Sequence, residues 1–397
     1  MGMLSDSTVA RYVRAIKQSP REIIFSRRLL VSAALYATAG VPISLSFFIN
    51  DRIGRLWSLR LYMAIWIAGQ LIATFSRGHL GALYTARFVS GLGIGPLTVT
   101  GPMSIVEIAP FEIRGLLATW FSVMMLLSLT VSCFVVYVSF LHIAVSKLQY
   151  QVVWFVPCIV VAVIIFLSFF VMSESPRWLM LVGREKEAVE TLCTLRGLPA
   201  DHPYVANELY EIRQQIESEH AKYGDAAGGG IKTVLRETFL VPANLRRVQQ
   251  ACLSYILAQL SGANSVTSYL VPILTMIGVG GSTDRNMFLT GMYSMSKFFY
   301  TIIASFFFID TLGRRKSLFI GITIQMISDI YIGTFLKYKQ AGSVAPGSSQ
   351  GAIAAIFIHG FGYAIGESYQ IYSCAVLTTF PRPSGSTLRF RCRAVAE

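Results

Sequence analysis

The stretch that decides the fold is "NDRIGRLWS", residues 50–58, which places one acidic and two basic side chains in an otherwise mostly apolar chain. Nearly the same sequence, "DTLGRRKS", returns at residues 310–317. Long apolar segments lie on both sides of each copy. A charged turn that recurs between hydrophobic segments indicates internal duplication. The repeat therefore predicts a chain built from two related halves.

The apolar segments around these turns predict membrane-spanning helices. Of the 397 residues, 54% are hydrophobic and 14% are charged, whereas soluble domains carry roughly 25% charged residues. A helix needs about 20 apolar residues to cross the hydrocarbon core, and helices satisfy their own backbone hydrogen bonds there. A β-barrel would instead require short alternating strands, which the sequence does not show. We expect an all-α, polytopic membrane helix bundle with about nine spans, at residues 29–49, 59–76, 80–109, 116–140, 150–172, 251–275, 287–309, 317–336 and 352–380.

Basic residues in the short loops orient these spans. When the loops are assigned alternately to two sides, most arginines and lysines fall on the side of the two charged turns, which the positive-inside rule places in the cytosol. The net charge of +13 is therefore attributed to membrane topology rather than to nucleic-acid binding. Val205, Leu209, Ile212 and Ile216 repeat at helical spacing and predict an amphipathic helix in the longest loop. The expected segments are a basic tail 1–28, a five-span bundle 29–172, a cytosolic loop with short amphipathic helices 173–250, a four-span bundle 251–380 and a basic tail 381–397.

Several classes of function are disfavoured. The six cysteines are scattered and form no C-x-x-C pair, so we expect neither a disulfide framework nor a metal site. Glycines 91, 93 and 95 lie inside an apolar helix rather than after a strand, which argues against a phosphate-binding loop. No nucleophile and base are paired in the sequence. We therefore expect no enzyme activity, no cofactor and no metal.

Four further motifs follow in order along the chain. They are "ARFVSGLGIG" (86–95), "GPMSIVEIAPFEIRG" (101–115), "SESPRWL" (173–179) and "QLSGANSVTSY" (259–269). Together with the repeated turn, they make the chain resemble the sugar porter family of the major facilitator superfamily, in particular its fungal sugar and quinate transporters. The resemblance covers about residues 29–380. It implies a twelve-helix fold and transport of a sugar, polyol or sugar acid by alternating access, with protons as a candidate second partner.

The resemblance also implies a cytosolic gate. In the family, arginines of the repeated turn bond the carboxylates that match Glu107 and Glu174, and these bonds close the inner side. The alternative is that the same charges only set membrane topology. The gate residues implied in this chain are Asp51, Arg52, Gly54, Arg55, Glu107, Arg114, Glu174, Arg177, Asp310, Gly313, Arg314 and Arg315.

A polar stripe on one span is the candidate substrate site. Its members, spaced i, i+3, i+4 and i+7, are Ser261, Asn264, Ser265 and Ser268. Polar groups within the membrane face the bundle interior or a cavity, and hydroxyl and amide groups suit a polyol because they donate and accept hydrogen bonds. The same residues could equally bond to a neighbouring helix. The resemblance favours the cavity and adds Gln259 and Tyr269.

Ionisable residues within the spans are candidates for coupling because burying them in lipid is costly. Arg87, Lys297 and Asp329 form this set, and His359 and Glu367 also lie within spans. Asp329 is a candidate partner of Lys297, either in a structural ion pair or in a proton relay. In proton-coupled members of the family, an aspartate in the first helix faces the arginine that matches Arg87, and we find no such helix in this sequence.

Counting the expected spans leads to two hypotheses of function. The split into five and four spans, and the position of the basic N-terminal tail, predict about nine of twelve helices, with one missing at the start and two at the end. The leading hypothesis is a multi-pass transporter, expected in the plasma membrane, whose partners are a small sugar or polyol, protons and the lipid bilayer, and not nucleic acid. The alternative is a transport-incompetent fragment or a sensor-like paralogue.

Overall fold

A computed structural model describes most of the chain between residues 49 and 366. The described residues are 49–76, 79–110, 113–144, 147–223, 269–278, 283–308, 314–340 and 348–366, with short pieces at 239–242, 245–246, 248–250, 252–253, 256 and 266–267. In these ranges the regular structure is helical, with no strand. The expected all-α class is therefore confirmed.

The chain divides into two compact units. The first unit comprises residues 1–229 with 280–298, and the second comprises 230–279 with 299–397. The helices are α1 (Arg55–Thr74), α2 (Leu80–Ile108), α3 (Arg114–His142), α4 (Lys147–Val171), α5 (Pro176–Leu181), α6 (Glu185–Arg196), α7 (Pro203–Tyr223), α8 (Leu270–Ile277), α9 (Thr283–Ile303), α10 (Arg314–Gln340) and α11 (Ser348–Gly366). A π-helical turn, Ala304–Phe308, follows α9.

Five of the described helices are long and apolar enough to cross a membrane. They are Arg55–Thr74, Leu80–Ile108, Thr119–His142, Gln151–Val171 and Lys316–Lys339. All five coincide with spans expected from the sequence. Helices α9 and α11 also coincide with expected spans. The expected span 29–49, apart from its last residue, and most of 251–275 lie outside the described residues.

Close backbone contact joins α1 to α2. A Cβ atom on Gly93 would lie 2.7 Å from the backbone nitrogen of Trp66 and 2.8 Å from the carbonyl oxygen of Tyr62. Gly69 meets the backbone of Ser90 in the same way. Small residues at such positions let membrane helices approach closely, where van der Waals packing replaces the hydrophobic effect. These glycines therefore fix the spacing of the pair that carries the candidate site.

Three short helices, α5 to α7, follow the last span of the first unit. Val205 and Ile216 of α7 are buried, whereas Tyr210 is exposed, so the apolar stripe of this helix faces inward. Arg196, at the end of α6, bonds Glu208 of α7 at 2.6 Å and donates a hydrogen bond of 3.1 Å to the carbonyl oxygen of Ile108. That carbonyl ends α2, where a cation is favoured by the helix dipole. Arg196 thus links the short helices α6 and α7 to the C-terminal end of α2.

Candidate functional site

The site is built around the break in the helix at Gly54. Residues 49–53 are helical, and α1 restarts at Arg55. Gly54 adopts φ +104° and ψ 163°, a region open essentially to glycine alone. A Cβ atom there would also lie 2.7 Å from Oε2 of Glu174. The glycine of the charged turn is therefore required both by its backbone conformation and by the approach of a carboxylate.

Arg55 pairs with two carboxylates, of which Glu107 is buried and Asp51 is exposed. Its Nε donates to Oε2 of Glu107 at 3.0 Å and its Nη2 donates to Oε1 at 3.1 Å, which is a bidentate pair. Its Nη1 donates to Oδ1 of Asp51 at 2.8 Å and to the carbonyl oxygen of Asn50 at 3.2 Å. The side chains of Arg55 and Glu107 are each 6% exposed. A planar guanidinium suits this geometry because its donors form a rigid fork.

Glu174, which lies just before α5, contributes a second contact to the start of α1 through its carboxylate. Its carboxylate accepts hydrogen bonds from the backbone N–H of Arg55 at 2.8 Å and of Leu56 at 3.0 Å. These amides are the first of α1, and a carboxylate at a helix N-terminus satisfies them and complements the helix dipole. The sequence reasoning expected an arginine side chain to meet this carboxylate. The structure instead shows Glu174 capping the helix that Arg55 begins.

Trp178 connects the short helix α5 to the charged turn through a hydrogen bond. Its indole Nε1 donates a hydrogen bond of 2.9 Å to the carbonyl oxygen of Asp51, and its ring is buried. We refer to Asp51, Arg55, Glu107, Glu174 and Trp178 as the Arg55 cluster. The cluster joins the turn, α1, the C-terminal part of α2, and α5 together with the residues just before it.

A second polar layer lies behind the cluster, and sequence reasoning missed it. Asn50 is fully buried. Its Nδ2 donates to Oγ1 of Thr100 at 2.9 Å, and the hydroxyl of Tyr62 donates to its Oδ1 at 3.2 Å. A polar residue directly before the charged turn, together with hydroxyls inside two apolar helices, was the signal available in the sequence. These contacts satisfy the side-chain amide of Asn50. The backbone carbonyl oxygen of Asn50 accepts the hydrogen bond from Arg55.

The remaining gate candidates are described only in part. Arg52 is exposed, and Arg177 is half-buried at the start of α5. The side chains of Arg114, Arg314 and Arg315, and the whole of Asp310 and Gly313, lie outside the described residues. The described part of α10 starts at Arg314, the residue after Gly313.

The candidate substrate residues fall almost entirely outside the described part of the chain. Tyr269 is described, and it lies exposed just before α8. The others, which stay predictions, are Gln259, Ser261, Asn264, Ser265 and Ser268.

The three coupling candidates each have a described neighbour. The guanidinium of Arg87 lies 4.7 Å from the ring centre of Trp154, a cation–π contact. Lys297 is 2% exposed, with its ammonium 5.5 Å from the ring centre of Tyr293. Asp329 has a different neighbour from the expected Lys297: its Oδ1 lies 3.7 Å from Nε2 of His359. Within the described ranges, His, Cys, Asp and Glu side chains form no group of three or more that could hold a metal.

Comparison with known proteins identifies relatives. The family described as "Sugar (and other) transporter" matches residues 22–397. A probable quinate permease of Neosartorya fischeri is 31% identical over 313 residues, which is 77% of this chain and 56% of the relative. The quinate permease of Emericella nidulans is 28% identical over 311 residues, 77% of this chain and 57% of the relative. The chain thus spans little more than half the length of these curated relatives.

Solved structures give the fold. The proton:xylose symporter XylE of the major facilitator superfamily, bound to 6-bromo-6-deoxy-D-glucose, superimposes with a TM-score of 0.72 at 21% identity, covering 90% of this chain and 73% of that one. A partially occluded, inward-open XylE from E. coli gives a TM-score of 0.65 at 20% identity, covering 88% and 79%. The expected major facilitator fold is therefore confirmed.

Proposed function

This chain belongs to the sugar (and other) transporter family, and we propose that it moves a small polyhydroxylated solute across a membrane by alternating access. The protein is a multi-pass membrane protein, and the relatives named above are permeases and a symporter rather than enzymes. The plasma membrane is the proposed location. The observation that carries the proposal is the Arg55 cluster, in which the buried Arg55–Glu107 pair lies at the junction of two spans and a short helix.

We propose that the Arg55 cluster is a cytosolic gate of the first unit. Two sets of its bonds join parts of the chain far apart in sequence: Arg55 reaches 52 residues to Glu107, and Glu174 reaches back 119 residues to Arg55. While these bonds are intact, the start of α1, the end of α2 and α5 are held together. When they break, those ends are free to separate and open the inner side. The topology-only alternative does not explain a bidentate, buried pair, because charges that only set topology can stay solvated.

The second charged turn is proposed to do the same in the second unit. The repeated motif supports this, since Asp310, Gly313 and Arg314 follow each other at the same spacing as Asp51, Gly54 and Arg55. The proposed gate residues of both units are Asp51, Arg52, Gly54, Arg55, Glu107, Arg114, Glu174, Arg177, Asp310, Gly313, Arg314 and Arg315.

The proposed solute is a hydroxylated acid of the quinate kind or a related sugar. Curated relatives at 28 to 31% identity are named quinate permeases, and the structural relative is titled a xylose symporter. Protons are a proposed second partner, with Arg87, Lys297 and Asp329 as candidates for coupling. The proposed solute contacts are Gln259, Ser261, Asn264, Ser265, Ser268 and Tyr269.

Thermal stabilisation of the purified protein tests solute binding directly. Quinate, xylose, glucose, galactose and galacturonate would each be added to protein in detergent. A ligand that binds only the folded state stabilises it by about 2.7 kcal/mol at 100 times its dissociation constant. We expect at least one of these solutes to raise the unfolding temperature, with half-saturation at a defined concentration.

A matched pair of variants then tests the stripe. Asn264→Ala should weaken binding about 5- to 150-fold, because an unpaired buried polar group costs about 1–3 kcal/mol. Ser128→Ala is the control, since Ser128 is exposed on α3 and its hydroxyl bonds its own helix at Met125. Equal solute affinity in both variants would indicate that Asn264 packs against a neighbouring helix and does not contact the solute. Solute binding without uptake would favour the sensor-like paralogue, and stabilisation by none of the solutes would contradict the proposed solute class.

A further inference from the structure

Helices α10 and α11 of the second unit approach each other at backbone distance. A Cβ atom on Gly321 would lie 2.5 Å from the backbone nitrogen of Gly366 and 2.7 Å from the carbonyl oxygen of Gly362. A Cβ atom on Gly362 would in turn lie 3.0 Å from the carbonyl oxygen of Gly321. Such contact leaves little room for the helices to shift sideways without separating. Side chains further along the same interface are therefore held at a defined distance.

An acid and a base lie about two helical turns further along this interface. Asp329 is eight residues after Gly321 on α10, and His359 is seven residues before Gly366 on α11. Nε2 of His359 lies 3.7 Å from Oδ1 of Asp329, with the side chains 0% and 31% exposed. This distance exceeds that of a normal N–H···O hydrogen bond, about 2.7–3.2 Å. The two groups are close enough to sense each other's charge.

Three of the elements packed here, α9, α10 and α11, contribute other charged or titratable groups. The remaining charges of α10 are at its two ends, and the nearest in sequence, Lys337, is eight residues from Asp329, about 12 Å along the helix axis. The titratable phenols are Tyr331 and Tyr338 of α10, Tyr363 of α11 and Tyr300 of α9. Helix α8 and the π-helical turn contain no titratable residue. Lys297, three residues before Tyr300 on α9, is the charged side chain of α9 nearest in sequence to the contact between Tyr300 and Phe361 of α11.

We propose that Asp329 and His359 form a proton-binding site between α10 and α11. A proton from water adds to the neutral imidazole, and no bond between heavy atoms forms or breaks. The net charge of the pair changes from −1 to 0. Because both ring nitrogens then carry N–H groups, Nε2 becomes a donor toward the carboxylate whichever tautomer preceded it. Proton binding thus converts a 3.7 Å contact into a charge-assisted hydrogen bond that joins the two helices.

A proton site at this interface gives the second unit a contact that depends on protonation. Its use in coupling proton movement to solute movement rests on the proposed function. Proton binding itself needs no solute, so it is measured independently.

Nuclear magnetic resonance of protein with ring-labelled histidine tests the pair. The chain has five histidines, and the resonances of His359 are identified by their loss in His359→Gln. A titration from about pH 4.5 to 8.5 brackets the ordinary histidine pKa of about 6.5. We expect His359 to titrate in this range, and Asp329→Asn to move its midpoint by about one pH unit or more. Glu190→Gln, which removes an exposed carboxylate from α6, should leave the midpoint in place.

Asp329→Glu guards against a variant that fails to fold. It keeps a carboxylate on α10 and should retain a midpoint that differs from that of an ordinary histidine. An unmoved midpoint in folded Asp329→Asn, or a His359 that does not titrate in this range, would overturn the proposal. If the midpoint moves as expected while no solute binds or is taken up, the proton site stands and the proposed function fails.

Discussion

Arg55 is the residue on which the first unit depends most. Its guanidinium makes a bidentate pair with Glu107, and both side chains are 6% exposed. Removing one partner of an ion pair that is buried in this way strongly destabilises the protein, because the other charge stays buried without its partner. The same property suits a gate, because the pair is stable only while α1 and α2 stay in place.

Replacing Arg55 should therefore destabilise the protein much more than replacing an average charged residue on the surface does. We expect Arg55→Ala to lower the free energy of unfolding by about 3–5 kcal/mol, measured by thermal or chemical unfolding in one detergent. The double variant Arg55→Ala/Glu107→Gln should recover part of this loss, since it no longer buries an unpaired carboxylate. Arg184→Ala is the control: its partner Glu187 is half-exposed, and such pairs contribute about 0–1 kcal/mol. Equal losses for Arg55→Ala and Arg184→Ala would show that the buried pair does not hold the fold.

A comparison of Gly54 with Gly183 separates the effect of backbone strain on stability from the effect of steric conflict. Gly54→Ala meets both, since φ is +104° and Glu174 is 2.7 Å from the new Cβ. Gly183→Ala meets strain alone, with φ +81° and no atom within 4 Å. Strain of this kind costs on the order of 1–3 kcal/mol, so Gly183→Ala should lose about that amount in unfolding free energy and Gly54→Ala more. A Gly54→Ala variant as stable as Gly183→Ala would mean that Glu174 moves aside freely.

At the scale of elements, the packing of α1 on α2 depends on where glycines allow close approach. In α2, Gly93 meets backbone of α1, Gly101 lies 3.4 Å from the Phe121 ring, and Gly81 has nothing within 4 Å, each measured from an added Cβ. Alanine at these positions should be progressively better tolerated in that order. We expect Gly93→Ala to lose about 1–3 kcal/mol, as overpacking does, and Gly81→Ala to be neutral or slightly stabilising. Unfolding in detergent measures the series, and a Gly93→Ala protein as stable as Gly81→Ala would contradict the close contact.

Part of the site could be predicted from the motifs of the sequence. Their resemblance to the sugar porter family implied that an arginine of the turn bonds Glu107, and the structure brings Arg55 and Glu107 together. The role of Glu174 was not predictable in this way, because its partners are backbone amides exposed by the break at Gly54. The Asn50–Thr100 contact joins residues 50 apart, and its register depends on how α1 and α2 cross. Likewise, no sequence periodicity indicated that Asp329 would meet His359.

At the scale of the whole molecule, the loop charges fix which ends of the helices face the cytosol. We predict that the helices of residues 173–223 are cytosolic and that the N-terminal end of α9 is on the opposite side. Single cysteines at Glu217 and Arg285, both exposed, test this in a background without native cysteines. In intact cells an impermeant maleimide should label Arg285→Cys and leave Glu217→Cys unlabelled until the membrane is permeabilised. The reverse pattern would invert the topology and place the Arg55 cluster outside.

Uptake into proteoliposomes is the measurement that tests the central claim most directly. Purified protein would be reconstituted, and entry of radiolabelled quinate would be followed with the sugars as competitors. We predict saturable uptake by the unaltered chain and by Arg184→Ala. Arg55→Ala, whose gate lacks its central cation, should lose most of that uptake while still binding solute. Saturable uptake that is unchanged in Arg55→Ala would contradict the gate, and the absence of saturable uptake of every solute would contradict transport by this chain.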